Sequence, residues 1–254
     1  MKTIILCGGK GTRMKEETEY RPKPMVEIGG QPMLWHIMKI YAHYGYGQFI
    51  LTLGYKSNMI KDYFLKHHVF SNDLTLDAPK NSVEFHGDKL DDFKITFVDT
   101  GLESFTGERI LRCRKYLNDE DFMITYGDGV GNVNIGALVE FHRRQNTVGT
   151  ITGVHPYSKY GLVGVDAEKN LVTSFRQKPV LEEYINGGFM VFKKDFFDYL
   201  DGRPIEDALG KLVQARQLSI FRHDGFWKAM DTYSEMEELN RLWQDSRPWA
   251  VWEK

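Results

Sequence analysis

The sequence predicts an α/β fold: a mostly parallel sheet flanked by helices, followed by a β-rich C-terminal portion. Two observations predict the first part. Four short apolar runs are present in the first half of the chain, and helical patterns lie between them. Strands that alternate with helices are joined by crossovers, which make neighbouring strands parallel. A third observation predicts the second part: from about Val148 strand-like runs follow one another with turns between them.

The elements follow in chain order. Thr3 to Leu6 is a β-branched run and the first strand. Pro32 opens a helix with Leu34, Ile37, Met38 and Tyr41 on one face, ending near Gly45. Phe49 to Leu53 reads as the next strand, Met59 to Leu65 as the next helix, and Ser71 to Asp92 as irregular. Ile95 to Val98 is a strand and Ile110 to Tyr116 a helix. Phe122 to Tyr126 lacks polar alternation, as a strand buried on both faces does. Strand-like segments then cover Thr150 to Val154, Leu162 to Val165, Leu171 to Phe175 and Phe189 to Phe192, with a hairpin connection at Asp166 to Asn170. Helices near Ile205 to Gln217 and Thr232 to Trp243 surround one more strand, Leu218 to Phe221. Without a Pro/Ser-rich linker or a repeat, the expectation is one domain over 1–254. Its first part ends at about 147, and residues from about 148 to 254 build a wall over the sheet's strand ends.

The 254 residues carry 33 Lys and Arg against 35 Asp and Glu, a formal net charge of −2 with both signs interspersed. That balance gives no electrostatic footprint for nucleic acid or an anionic membrane. Cys7 and Cys113 are the two cysteines, far apart, which suits a reducing cytoplasmic setting rather than a disulfide scaffold. No apolar run is long enough to span a bilayer, and the N-terminal one is too short for a signal peptide. The His67-His68 pair reads as solvent-exposed rather than zinc-binding.

Ligands of open α/β sheets gather outside the carboxyl ends of the strands. The first strand delivers Leu6-Cys7-Gly8-Gly9-Lys10-Gly11-Thr12-Arg13 there, followed by Arg21-Pro22-Lys23-Pro24-Met25. A glycine-rich loop behind a strand leaves backbone N–H groups within reach of phosphate oxygens, and Arg13 and Lys23 add fixed positive charge. The spacing fits neither a Walker loop nor a dinucleotide fingerprint, whose last glycine would fall at Met14. A tight turn that needs glycine for its backbone angles is the plainer alternative. Phe122 to Tyr126 delivers Gly127-Asp128-Gly129 to the same edge. Asp128 is placed for a hard cation, or for a turn that bonds its own backbone. Asp231 precedes Thr232, which forms a capping box with Glu235, so it suits either a helix end or a second carboxylate for Mg²⁺.

These runs, with Ile185-Asn186-Gly187-Gly188-Phe189 and Phe226-Trp227 through Met230-Asp231-Thr232, resemble the sugar-1-phosphate nucleotidyltransferase family over nearly the whole length. Glu27 to Gly30 with Trp35 to Lys39, and the Met230-Asp231-Thr232 ending, point to its cytidylyl branch. The resemblance implies a Rossmann-like sheet with a nucleotide-binding core and an acceptor-binding C-terminal portion. It also implies an enzyme that uses CTP, Mg²⁺ and a phosphorylated small-molecule acceptor, most simply a sugar-1-phosphate, and assembles as a homo-oligomer. The nucleotide would be bound by Leu6, Cys7, Gly8, Gly9, Lys10, Gly11, Thr12, Arg13, Lys23, Ser104, Arg109, Gly127 and Asp128. Within that set Arg13 steadies the leaving pyrophosphate and Lys23 binds the phosphates, while Asp128 and Asp231 hold the metal. Arg109 suits cytosine, because arginine only donates and cytosine offers acceptors at N3 and O2; alternatively it starts a helix and faces water. Glu108 replaces a common glycine beside it and could pair with it. The acceptor set is Gly161, Gln177, Lys178, Asn186, Gly187 and Trp227, with Gln177 standing where the family usually has glutamate. A core role is the alternative for Trp227. A different acceptor, or a nucleotide-sensing module without catalysis, are the rival functions. The tail Pro248 to Trp252, with two tryptophans, is expected to dock on its own subunit or across a contact.

Overall fold

The computed structural model describes residues 1–86 and 91–253, and only the backbone of Arg13, Lys15, Glu16, His68 and Phe70. The expectations for the Arg13 and His68 side chains, and for 87–90 within the Ser71 to Asp92 stretch, lie outside the described residues.

Seven strands form the main sheet: β1 (Lys2–Leu6), β2 (Gln48–Leu53), β3 (Lys94–Asp99), β4 (Phe122–Tyr126), β5 (Gly149–Val154), β6 (Ile185–Phe192) and β7 (Leu218–His223). Their order across the sheet is β7-β5-β6-β4-β1-β2-β3. Pairings β1–β2, β1–β4, β2–β3 and β5–β7 are parallel, whereas β6 runs antiparallel to both β4 and β5. The sheet is mostly parallel, as the alternation predicts. Three C-terminal strands, expected as part of the wall over the strand ends, extend this sheet. The Leu162–Asp166 and Leu171–Arg176 strands pair only with each other and stand off as a hairpin.

Helices α1 (Met33–His43), α2 (Ser57–Ser71), α3 (Thr106–Cys113), α4 (Ile135–Gln145), α5 (Ile205–Gln214) and α6 (Tyr233–Asp245) cover the sheet. Period-2 alternation along the strands sorts the core into two layers. Ile5, Leu51, Met123 and Phe189 face α1, α4 and α6, while Ile4, Ile50, Ile124 and Met190 face α3 and α5. α1 starts after Pro32, whose φ of −58° is already helical, and buries the predicted Leu34, Ile37, Met38 and Tyr41. The stretch expected to be irregular contains a hairpin, Leu74–Asp77 with Ser82–Phe85.

The tail docks on its own chain. Trp249 is fully buried and its indole N–H donates to His36 Nδ1 at 3.3 Å, while Trp252 meets Trp35 edge-on at 5.6 Å. His36 Nε2 in turn donates to the Ile28 carbonyl at 2.8 Å. A neutral imidazole satisfies both contacts, and burial holds its pKa down at about 4.

Candidate active site

The site lies at the carboxyl ends of β1 and β4, where a cleft of about 450 Å³ opens. Leu6 and Tyr126 are register partners at the ends of these strands, so the glycine loop and Gly127-Asp128 leave the sheet side by side. The loop's geometry follows from where its polar groups go. Thr52 Oγ1 accepts the Cys7 N–H at 3.2 Å, and the Gly8 carbonyl accepts from the Tyr55 amide and from Arg109, both at 3.2 Å. A trans peptide points its N–H opposite its carbonyl, so anchoring the Gly8 carbonyl inward turns the Gly9 N–H outward. Among the described residues the amides of Gly8, Gly9, Lys10 and Gly11 have no hydrogen-bond partner. That is the arrangement an anion needs. Gly11 sits at φ +62°, and a Cβ at Gly8 would lie 2.0 Å from the Arg109 guanidinium; these two positions require glycine. The turn alternative therefore holds as well, since one loop serves both purposes.

Lys23 is 8% exposed, and its ammonium donates to Asp128 Oδ2 at 2.6 Å and to Asp231 Oδ1 at 2.7 Å. The two aspartates, distant in sequence, are brought together by a short ladder between Gly129–Gly131 and Trp227–Ala229. One residue beyond its last rung, the Met230 amide donates to the Asp128 carbonyl at 2.8 Å. The capping box is present too: Thr232 Oγ1 accepts the Glu235 amide at 3.3 Å, and Glu235 accepts the amides of Asp231 and Thr232. Asp231 thus leads into the positive end of α6 and turns its carboxylate on Lys23. Two hard carboxylates converging on one cation fit a divalent ion that keeps water and phosphate oxygens as its other ligands. No group of three or more potential metal-ligating side chains occurs among the described residues.

Arg109 lines the cleft and is 4% exposed, so it does not face water. Its guanidinium is engaged through both terminal nitrogens. Nη1 donates to Thr100 Oγ1 at 2.6 Å, the Gly101 carbonyl at 2.8 Å and the Leu53 carbonyl at 3.3 Å, while Nη2 reaches the carbonyls of Gly8 at 3.2 Å and Leu102 at 3.1 Å. This side chain braces the glycine loop against the 100–102 loop, and a base contact through either terminal nitrogen would compete with those oxygens. Glu108 pairs with Arg112 at 2.6 Å rather than with Arg109. Cys7 is buried with its thiol pKa pushed up, chiefly by desolvation, so it is no nucleophile.

The acceptor set lies beyond this cleft's lining. The Trp227 indole donates to the Gly187 carbonyl at 2.7 Å and is half-buried beside Gly129, which makes it neither core nor free wall. Asn186 Oδ1 accepts the Gly188 amide at 3.0 Å. Gln177 and Lys178 are exposed at the end of the hairpin, where Gln177 comes close to Gly161. Lys178 has φ +44°, a left-handed conformation that side-chain-bearing residues rarely adopt.

Sequence reasoning missed Tyr126, Pro204 and Glu206, which line the same cleft. Tyr126 lay inside a recognised motif, beside the aspartate that drew attention. Nothing local marks Glu206, because the packing of α5 against α3 brings it to the site.

A glycine loop with open amides, a lysine and two carboxylates stand together at the strand ends of a mostly parallel sheet. The chain belongs to the family described as "Nucleotidyl transferase", whose model matches residues 2–245. Among its relatives, the probable glucose-1-phosphate cytidylyltransferase of Bacillus subtilis (strain 168) is 44% identical over 257 residues, covering 99% of this chain and 100% of that one. The glucose-1-phosphate cytidylyltransferase of Salmonella typhi is 40% identical, covering all of both chains. In fold, the chain is similar to a putative glucose-1-phosphate thymidylyltransferase from Bacillus anthracis solved with sucrose, with a TM-score of 0.71, 17% identity and 96% of each chain covered. It is also similar to a UDP-glucose pyrophosphorylase solved with UDP-glucose, with a TM-score of 0.67, 16% identity and 97% and 99% of the chains covered. Among the described residues no helix is long and apolar enough to cross a membrane.

Proposed function

We propose that the protein transfers the cytidylyl group of CTP to glucose-1-phosphate in the presence of Mg²⁺, giving CDP-glucose and pyrophosphate. The observation that carries the chemistry is Lys23 clasped between Asp128 and Asp231 next to unpartnered loop amides. The choice of cytidine and glucose is supported by the names of relatives 40–44% identical over the full length.

An oxygen of the sugar phosphate attacks the α-phosphorus in line as pyrophosphate leaves. That phosphate is largely a dianion near neutral pH, so no general base is required, and catalysis rests on position and charge. The Gly9 and Gly11 amides hold the outer phosphates, Arg13 steadies the pyrophosphate, and Lys23 moves from the carboxylates to the phosphates as charge builds on the α-group. Asp128 and Asp231 are the residues that would hold Mg²⁺. When bound, the ion neutralises phosphate oxygens and orients them. Lys178 takes the acceptor's phosphate, Gln177 with Asn186 and Gly187 its hydroxyls, and Trp227 closes that side. Arg109 acts through the loop it braces, and Ser104 stands at the base end.

A second reading, transfer to another sugar-1-phosphate, is favoured by Gln177, whose neutral amide tolerates acceptors that a carboxylate would repel. A homo-oligomer in the cytoplasm completes the proposal. It is supported by the hairpin, where Val163, Val165, Val172 and Phe175 are exposed, and by two buried free cysteines. The test is pyrophosphate release from a panel of sugar-1-phosphates with each NTP. Glucose-1-phosphate with CTP should turn over fastest; equal turnover across the panel would end this assignment.

A further inference from the structure

We propose that Glu206, steered by Tyr126, reads the exocyclic amino group of the nucleobase and so separates CTP from UTP and thymidine nucleotides. The inference rests on the cytidylyl reading above. Ser104, Phe105, Pro204 and Glu206 line the same cleft as the loop, Lys23 and Asp128 but come from other segments, and the base is assigned to them. Arg109, expected there, already holds five oxygens of the chain through its two terminal nitrogens.

Glu206 remains. Its side chain is exposed to the cleft, has no ion-pair partner among the described residues, and accepts the Tyr126 hydroxyl through one carboxylate oxygen at 2.8 Å. The other oxygen is open to a ligand. Both partners are held firmly. The Tyr126 ring packs where Gly188 has no side chain, a Cβ there lying 2.8 Å from it. Glu206 sits in the first turn of α5, whose Ile205 amide donates to Thr106 Oγ1 at 2.8 Å, and the Gly107 amide donates to the Arg203 carbonyl at 3.0 Å.

An ionised carboxylate only accepts. Cytosine presents N–H donors at position 4, whereas uracil and thymine present an oxygen, which Glu206 repels. Adenine also carries an amino group, so the residue discriminates among pyrimidines.

The experiment compares kcat/KM for CTP and UTP in the wild type, Glu206→Gln and Tyr126→Phe, with thermal melts to confirm folding. The wild type should prefer CTP. Glu206→Gln should cut the CTP-to-UTP ratio by about tenfold or more, because an amide can also donate to the uracil oxygen. Tyr126→Phe should cut it less. If Glu206→Gln slows both nucleotides equally, or leaves the ratio unmoved while the wild type prefers CTP, the glutamate does not read the base and this inference alone falls. A wild type indifferent to CTP and UTP would overturn the cytidylyl reading and this inference with it.

Discussion

Protonation of His36 should unfasten the C-terminal tail. The imidazole lies fully buried among Trp35, Trp243, Trp249 and Trp252, donates to Ile28 and accepts from Trp249. A proton added at Nδ1 would face the Trp249 N–H, donor against donor, in a site stripped of water. The nearby Glu253 charge, which favours protonation, offsets only part of that cost. Burial holds the folded imidazole down at about 4, against 6.5 for a histidine in water. Between these limits the unfolded chain binds a proton that the folded chain refuses, so stability is complete above 6.5 and falls as the pH drops toward 4. From pH 7 to pH 5 the loss is about 2 kcal/mol, and over the whole window about 3 kcal/mol. Urea unfolding of the wild type and His36→Gln at both pH values isolates this contribution, since His142 and His223, whose pKa values burial also lowers, are common to both. The variant should be less stable at pH 7 and lose about 2 kcal/mol less on acidification. Equal losses in the two proteins would refute the assignment of a neutral, tail-locking imidazole.

Other outcomes follow from the cleft. Lys23→Met should lower kcat by roughly a hundredfold or more with the fold retained, measured by pyrophosphate release and circular dichroism. Asp231→Asn should abolish most turnover and cost little stability, whereas Glu235→Ala should cost about 1 kcal/mol in a urea melt and spare most activity; the reverse pattern would reduce Asp231 to a helix-end residue. Arg109→Met removes the hydrogen bonds that tie the glycine loop to the 100–102 loop, so it should destabilise by about 1–3 kcal/mol and raise the KM for CTP through the loosened loop. A chelator should stop pyrophosphate release and added Mg²⁺ restore it; activity that survives exhaustive chelation would remove the two aspartates from a metal-holding role.

Much of this architecture was legible because it is written locally. β-branched runs, the proline before α1, the glycine loop and the Thr232–Glu235 box each carry their meaning within a few residues, and each is present. α4 was passed over, although Leu138, Val139 and His142 recur at helical spacing and Asn134 caps it. The rest depends on contacts between distant segments. The base-reading role of Arg109 follows from the family resemblance together with arginine's chemistry, and only the fold reveals five oxygens already gathered around it. That β5, β6 and β7 extend one sheet follows from pairings that no run of residues announces. Glu206 is invisible for the same reason: its partner Tyr126 stands on another element altogether.

Lys23 joins two carboxylates before any ligand arrives, and that has a bearing on how the site fills. Two of its three N–H groups go to Asp128 and Asp231, so a phosphate can take the third or draw the lysine away from the carboxylates. A second cation arriving at the two aspartates would ease that departure. A nucleotide that brings its own counter-ion should therefore enter more readily than either species alone.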